Sequence, residues 1–256
     1  MSKRQKFVIT SSLLSLGFLA LQFIDDKYRF LGISSLGLST FLLFYWSLRE
    51  GLGWNMTLMS LILPFYFTMG VGLFWFLLPS NLFTRIPIAI FYGFGIYALC
   101  LTSNIYTVAS IRTIALLRAA RGVGFVITLV TFFLLFDAIL SIHPNILMNT
   151  SSIILFSFPL LLQGFWTITL GKKISKELLS LSLISSLILG EIATNLYFWP
   201  VTVIVGSIFL TVALYILLGL GQAKLEGRLF RQTVREYLLV GALVFLGMFL
   251  STRWGG

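Results

Sequence analysis

One cysteine and one histidine are all that this chain of 256 residues offers to thiol or soft-metal chemistry, and only 10% of its residues are charged. A lone Cys100 excludes an intrachain disulfide. With a lone His143 beside it, the Cys/His sets of structural zinc and the paired histidines of a bis-imidazole haem are excluded as well. No metal site and no cofactor are expected. Soluble domains carry roughly 25% charged residues, so this chain has too little polar surface to cover a globule in water. Also lacking are a low-complexity tract, a phosphate loop ending in Lys-Ser/Thr and a serine-nucleophile motif. These absences point away from an enzyme.

What fills the sequence instead is apolar. Hydrophobic residues make up 58% of it, with 25 Phe and 9 Tyr, and the mean hydropathy is +1.00. A helix needs about 20 apolar residues to cross a hydrocarbon core of about 30 Å, and runs of that length recur between short polar stretches. The pattern predicts an all-α, polytopic transmembrane helix bundle of about nine spans. They are 7–24, 31–48, 56–78, 86–103, 122–142, 152–170, 178–198, 201–221 and 237–251, in a single domain over 1–256. Basic Met1 to Lys6 before an apolar run has the shape of a secretory signal. Without a small-x-small cleavage site before Asp25 it reads as an uncleaved first span. The tightest joint is Trp199-Pro200, where proline's missing N–H and its effect on the preceding residue predict a turn.

Lysine and arginine give the orientation, because cytoplasmic loops retain positive charge during insertion. With the N-terminus cytoplasmic and the C-terminus outside, the outer segments hold only Lys27, Arg29, Arg85 and Arg253 of the 18 basic residues. All others fall in cytoplasmic segments. The net charge of +10 therefore reads as topology and as contact with anionic phospholipid headgroups, with the lipid bilayer as the partner rather than nucleic acid. Short loops suit a prokaryotic cytoplasmic membrane.

Two groups of residues stand out as candidates. Ionisable side chains inside hydrocarbon are costly, and Asp137 and Glu191 fall inside the fifth and seventh spans. Counted from the inner ends of those spans they lie about 22 and 20 Å deep, nearly level. Thr194 and Asn195 follow Glu191 by one turn, and Gln163 lies near mid-membrane on the sixth span, so the expectation is a shared polar site of Asp137, Glu191, Asn195, Thr194 and Gln163. Two carboxyl groups close together would let one keep a proton, as proton coupling requires. The structural alternative pairs Glu191 with Arg85 or Arg253, or uses it as packing glue.

The second group is basic. Arg112, Arg118 and Arg121 sit on an otherwise apolar helix and suit phosphate or carboxylate, while Lys224, Arg228, Arg231 and Arg235 form a stripe if 221–236 is one helix. Either could contact lipid headgroups or dock a cytoplasmic or membrane protein partner. Asn55-Met56-Thr57 and Asn149-Thr150-Ser151 match the glycosylation sequon.

Three functions follow in order. The first is a non-catalytic membrane subunit, scaffold or permease-like component. The second is a proton- or cation-coupled secondary transporter using Glu191 and Asp137. The third is a membrane enzyme or flippase acting on a phospholipid or polyprenyl-phosphate, which the roughly 20 Å between arginines and carboxylates disfavours.

Overall fold

The computed structural model describes residues 2–23, 26–48, 54–78, 82–109, 115–142, 145–171 and 173–252. Among them are nine α-helices and no strand: α1 Lys3–Ala20, α2 Arg29–Leu48, α3 Trp54–Leu77, α4 Leu82–Ala109, α5 Leu117–Ser141, α6 Ile146–Thr169, α7 Lys176–Tyr197, α8 Val203–Leu225 and α9 Arg231–Ser251. Eight of them, α2 to α9, are long and apolar enough to cross a membrane, as the helices of a multi-pass membrane protein are. The ninth, α1, falls short because Lys3, Arg4 and Lys6 occupy its first turn. Its apolar remainder covers about 21 Å before a 3₁₀ turn at Leu21–Phe23.

The chain divides into two compact units, Met1–Thr131 with Leu170–Lys173, and Phe132–Thr169 with Ile174–Gly256. The division falls inside α5.

In unit 1, α1 packs on α2 and α4, and α2 and α3 pack together. Successive helices run antiparallel: Lys6 lies over the Trp46 ring while a Cβ at Gly17 would meet Leu36, and Thr40 meets Thr68 while a Cβ at Gly72 would meet Ile33. The core is aromatic. Phe18 meets Trp75 edge-on at 4.6 Å between centroids and stacks on Tyr92 at 4.7 Å. Three buried hydroxyls form a chain through it, Thr40 Oγ1 to Thr68 Oγ1 at 3.0 Å and Thr68 Oγ1 to Tyr92 Oη at 3.0 Å. Pro64 has no N–H to give the Ser60 carbonyl one turn earlier, and the Ser103 hydroxyl of α4 donates to that carbonyl at 3.5 Å.

In unit 2, α6 and α7 pack most extensively, and α8 packs on α6, α7 and α9. Small residues set the approach: a Cβ at Gly190 would meet Ile154, one at Gly164 would meet Leu218, and one at Gly221 would meet Phe165. By contrast α9 is nearly uncovered, with Met248 the one buried residue on it.

The predicted helix over 221–236 is two helices. α8 ends at Leu225, Gly227 takes φ +70°, Gly227 N–H donates to Lys224 C=O at 3.0 Å, and Arg228 N–H donates to Ala223 C=O at 2.8 Å. That is the glycine-terminated helix end in which a left-handed residue lets two orphan carbonyls be satisfied. Helix α9 starts afresh at Arg231. At Trp199-Pro200 the helix also stops, as the sequence suggests: α7 ends at Tyr197, and α8 opens after Thr202.

Candidate functional site

The predicted carboxylate pair meets two different environments. Asp137 on α5 is buried, and the single hydroxyl proton of Ser207 on α8 is shared between Asp137 Oδ1 at 3.3 Å and Val203 C=O at 2.8 Å. Glu191 is exposed, off the face of α7 that buries Leu189, Gly190 and Ala193. It lies six residues from the end of α7, about 9 Å along the axis. The difference from the sequence reading is one of helix face: α7 turns its small residues inward to meet α6 and leaves Glu191 outside.

The neighbours of Glu191 are likewise occupied with packing. Thr194 Oγ1 bonds Thr150 Oγ1 of α6 at 2.7 Å and donates to Gly190 C=O at 2.9 Å. Asn195 is exposed, and its Nδ2 donates to Glu191 C=O at 3.0 Å. Gln163 is buried on α6 with no partner for Oε1. Beside it Gln222 of α8 donates through Nε2 to Gly164 C=O at 3.0 Å, a bond between α6 and α8 that the sequence did not single out. Arg85, considered as a partner for Glu191, stands over the Trp75 ring in unit 1 at 5.2 Å. Arg253 and His143 lie outside the described residues.

Of the basic candidates, Arg118 and Arg121 lie in the first two turns of α5, with Arg118 exposed and Arg121 half-buried. Arg112 lies outside the described residues. Lys224, Arg228, Arg231 and Arg235 are all exposed, Lys224 at the end of α8 and Arg231 and Arg235 at the start of α9. The single stripe drawn for them is broken by Gly227, and Arg228 sits in the turn, 3.8 Å from Glu226.

The residue the sequence reading missed is Asn149. Sixth-span apolarity was counted from residue 152, but α6 begins at Ile146, with Asn145 Oδ1 accepting from Met148 N–H at 2.8 Å. Asn149 is thus inside the helix. It is 1% exposed, and neither its amide oxygen nor its amide nitrogen has a hydrogen-bond partner among the described residues. Burial of this kind does not suit a glycan acceptor, so the sequon at Asn149 is set aside.

Asn149 helps line a cavity of about 400 Å³ at the end of unit 2 where α5 and α7 finish and α6 and α8 begin. Leu140, Leu196, Trp199, Thr202 and Gly206 share the wall. Thr202 precedes α8 in extended conformation, and its side chain makes no capping bond there. Trp199 is fixed: its indole N–H donates to Thr252 Oγ1 at 2.8 Å, and its ring meets Phe245 and Phe249 edge-on. Asp137 lies one turn before Leu140 on α5 and Ser207 directly follows Gly206 on α8, so the Asp137–Ser207 pair adjoins the inner end of the cavity.

A buried amide without partners costs about 1–3 kcal/mol, and such groups are rare enough in folded proteins to need a reason. Here the reason at hand is the adjoining space. The arrangement offers an amide and a hydroxyl to an uncharged guest, with no charged side chain among the described residues of the cavity wall. Among the described residues no cluster of His, Cys, Asp and Glu could hold a metal ion.

No curated protein and no solved structure matches the chain. A family does: the one described as protein of unknown function (DUF5656) matches residues 32–251, a stretch that contains most of α2 and all of α3 to α9, and the chain belongs to that family.

Proposed function

We propose that this protein is a permease-like component of a membrane, and that unit 2 binds a small uncharged solute in the cavity beside Asn149. The observation that carries the reading is the Asn149 amide, buried and without a partner at the wall of a cavity of about 400 Å³. A scaffold gains nothing from leaving such a group unpaired.

In this reading the chain crosses the membrane nine times, N-terminus cytoplasmic and C-terminus outside, in a prokaryotic cytoplasmic membrane. The charge distribution supports that orientation. The antiparallel packing of α1 against α2 and α4 supports α1 as a crossing segment, since it lies alongside both and buries Phe7, Leu14 and Phe18. The cavity then opens in the outer half. Arg118 and the exposed cations Lys224, Arg228, Arg231 and Arg235 face the cytoplasmic side, where anionic headgroups or a protein partner would meet them.

The test is a thermal-unfolding screen of the protein in nanodiscs against water-soluble polyols, amides and sugars. At least one class should raise the unfolding temperature of the wild type and fail to do so in Asn149→Leu. Shifts that are identical in the two proteins, or absent from both, would reject the site.

A second reading is proton- or cation-coupled transport through Asp137, favoured by its burial beneath the cavity and its bond from Ser207. In proteoliposomes the same solute should then drive proton or cation flux that Asp137→Asn removes and Glu191→Gln leaves intact.

A further inference from the structure

Two cavities, not one, meet at Trp199. The second, of about 620 Å³, is lined by Ile192, Phe198, Phe209, Phe245 and Met248 among others, with Asn195 its one amide side chain. It shares Leu196 and Trp199 with the Asn149 cavity, so the indole ring and this leucine border both the more polar space and the apolar one. Among the described residues no charged side chain lines either space.

The indole is held as a partition. Its N–H donates to Thr252 of α9, and its ring meets those of Phe245 and Phe249 at 75° and 69°, which holds the indole in place where the two cavities share it. A solute from water would use the polar side alone and would leave the larger apolar cavity without a role. A chain in that cavity gains little over a chain in the bilayer, since both surroundings are hydrocarbon-like. Selection must therefore come from the head, through hydrogen bonds to Asn149 and Thr202, while the second cavity keeps the attached chain out of water.

From this juxtaposition we propose that the ligand of unit 2 is a neutral amphiphile, with a hydroxyl-bearing head at Asn149 and Thr202 and a single apolar chain passing Trp199 into the cavity formed with α9. The proposal rests on the reading of the Asn149 cavity as a binding site and narrows it to a class of ligand. Entry is lateral, from the outer leaflet, because the apolar cavity lies between α7, α8 and the sparsely covered α9.

The experiment uses the full chain in phosphatidylcholine nanodiscs and a monoacylglycerol bearing a diazirine in its chain. After irradiation, the label should concentrate on the cavity residues Phe209, Phe245 and Met248. Asn149→Leu should lower that labelling by about tenfold, the worth of one good hydrogen bond to a buried amide. Ile192→Trp, which fills the apolar cavity, should lower it likewise. The wild-type labelling map needs no variant, so it stands even where a substitution impairs folding.

Label spread over the lipid-facing Leu243 and Leu250 and indifferent to Asn149→Leu would overturn the proposal. If water-soluble polyols still raise the unfolding temperature in an Asn149-dependent way, that result would leave the polar site standing and remove only the amphiphile. Loss of both responses would remove the site itself.

Discussion

Unit 1 and unit 2 each bury a polar cluster between helices, and they treat it differently. In unit 1 the Thr40, Thr68 and Tyr92 hydroxyls bond one another at 3.0 Å, with the two threonines also bonded to the carbonyls of Leu36 and Pro64. The cluster is surrounded by the rings of Phe18 and Phe67. In unit 2 the Asn149 amide has no partner and helps wall a cavity, and Asp137 below it has a single hydroxyl donor. A closed cluster joins helices and is complete without a guest. An open one is stable only at a cost, and that cost marks where binding would repay it.

The contrast makes predictions of opposite sign. Thr68→Val, at the centre of the closed chain, should remove the 3.0 Å partner of both the Thr40 and the Tyr92 hydroxyls and lower the unfolding free energy by about 1–2 kcal/mol. Any solute-induced stabilisation should be unchanged. Asn149→Leu should instead raise stability by about 1 kcal/mol while abolishing the solute response, because it removes an unpaired buried amide and substitutes a side chain of similar volume. Unfolding of detergent-solubilised protein, with and without solute, checks both. Equal destabilisation by the two substitutions would erase the distinction between the clusters.

Glycine offers a second contrast, smaller in size. Gly227 in unit 2 has φ +70° and open space around it, so Gly227→Ala should cost about 1 kcal/mol through the backbone alone. Gly122 in unit 1 has open space and lies within α5, so Gly122→Ala should stabilise by about 0.5–1 kcal/mol through helix propensity. The smallest effect belongs to Glu191→Gln. An exposed side chain with no partner among the described residues should change stability by less than about 0.5 kcal/mol. A larger loss would mean that Glu191 has a role in packing.

Apolar run length was enough to predict an all-helical architecture, and the helix break after Tyr197 follows from the backbone chemistry of Pro200. The break at Gly227 was signalled too, by a glycine after Lys-Leu-Glu, but the regular spacing of Lys224, Arg228, Arg231 and Arg235 argued for one helix and prevailed. Asn149 was misread for a simpler reason. Hydropathy locates where apolarity begins, not where a helix begins, and the polar first turns of α6 were assigned to a loop. Glu191 and Asp137 show the limit of counting residues along an axis. Depth follows from rise per residue, whereas which face is inward depends on where Gly190 and Ala193 let α6 approach.

The bond from Trp199 to Thr252 joins residues 53 apart in the chain, and it has a consequence for synthesis. Ribosomes deliver the polypeptide from the N-terminus onward, so Trp199 enters the bilayer well before its anchor exists. Until α9 has been inserted and has brought Thr252 alongside, the indole lacks its fixed seat and the partition it forms is unfinished. The wall that Trp199 gives the Asn149 cavity is therefore completed late, only after translation has passed Thr252.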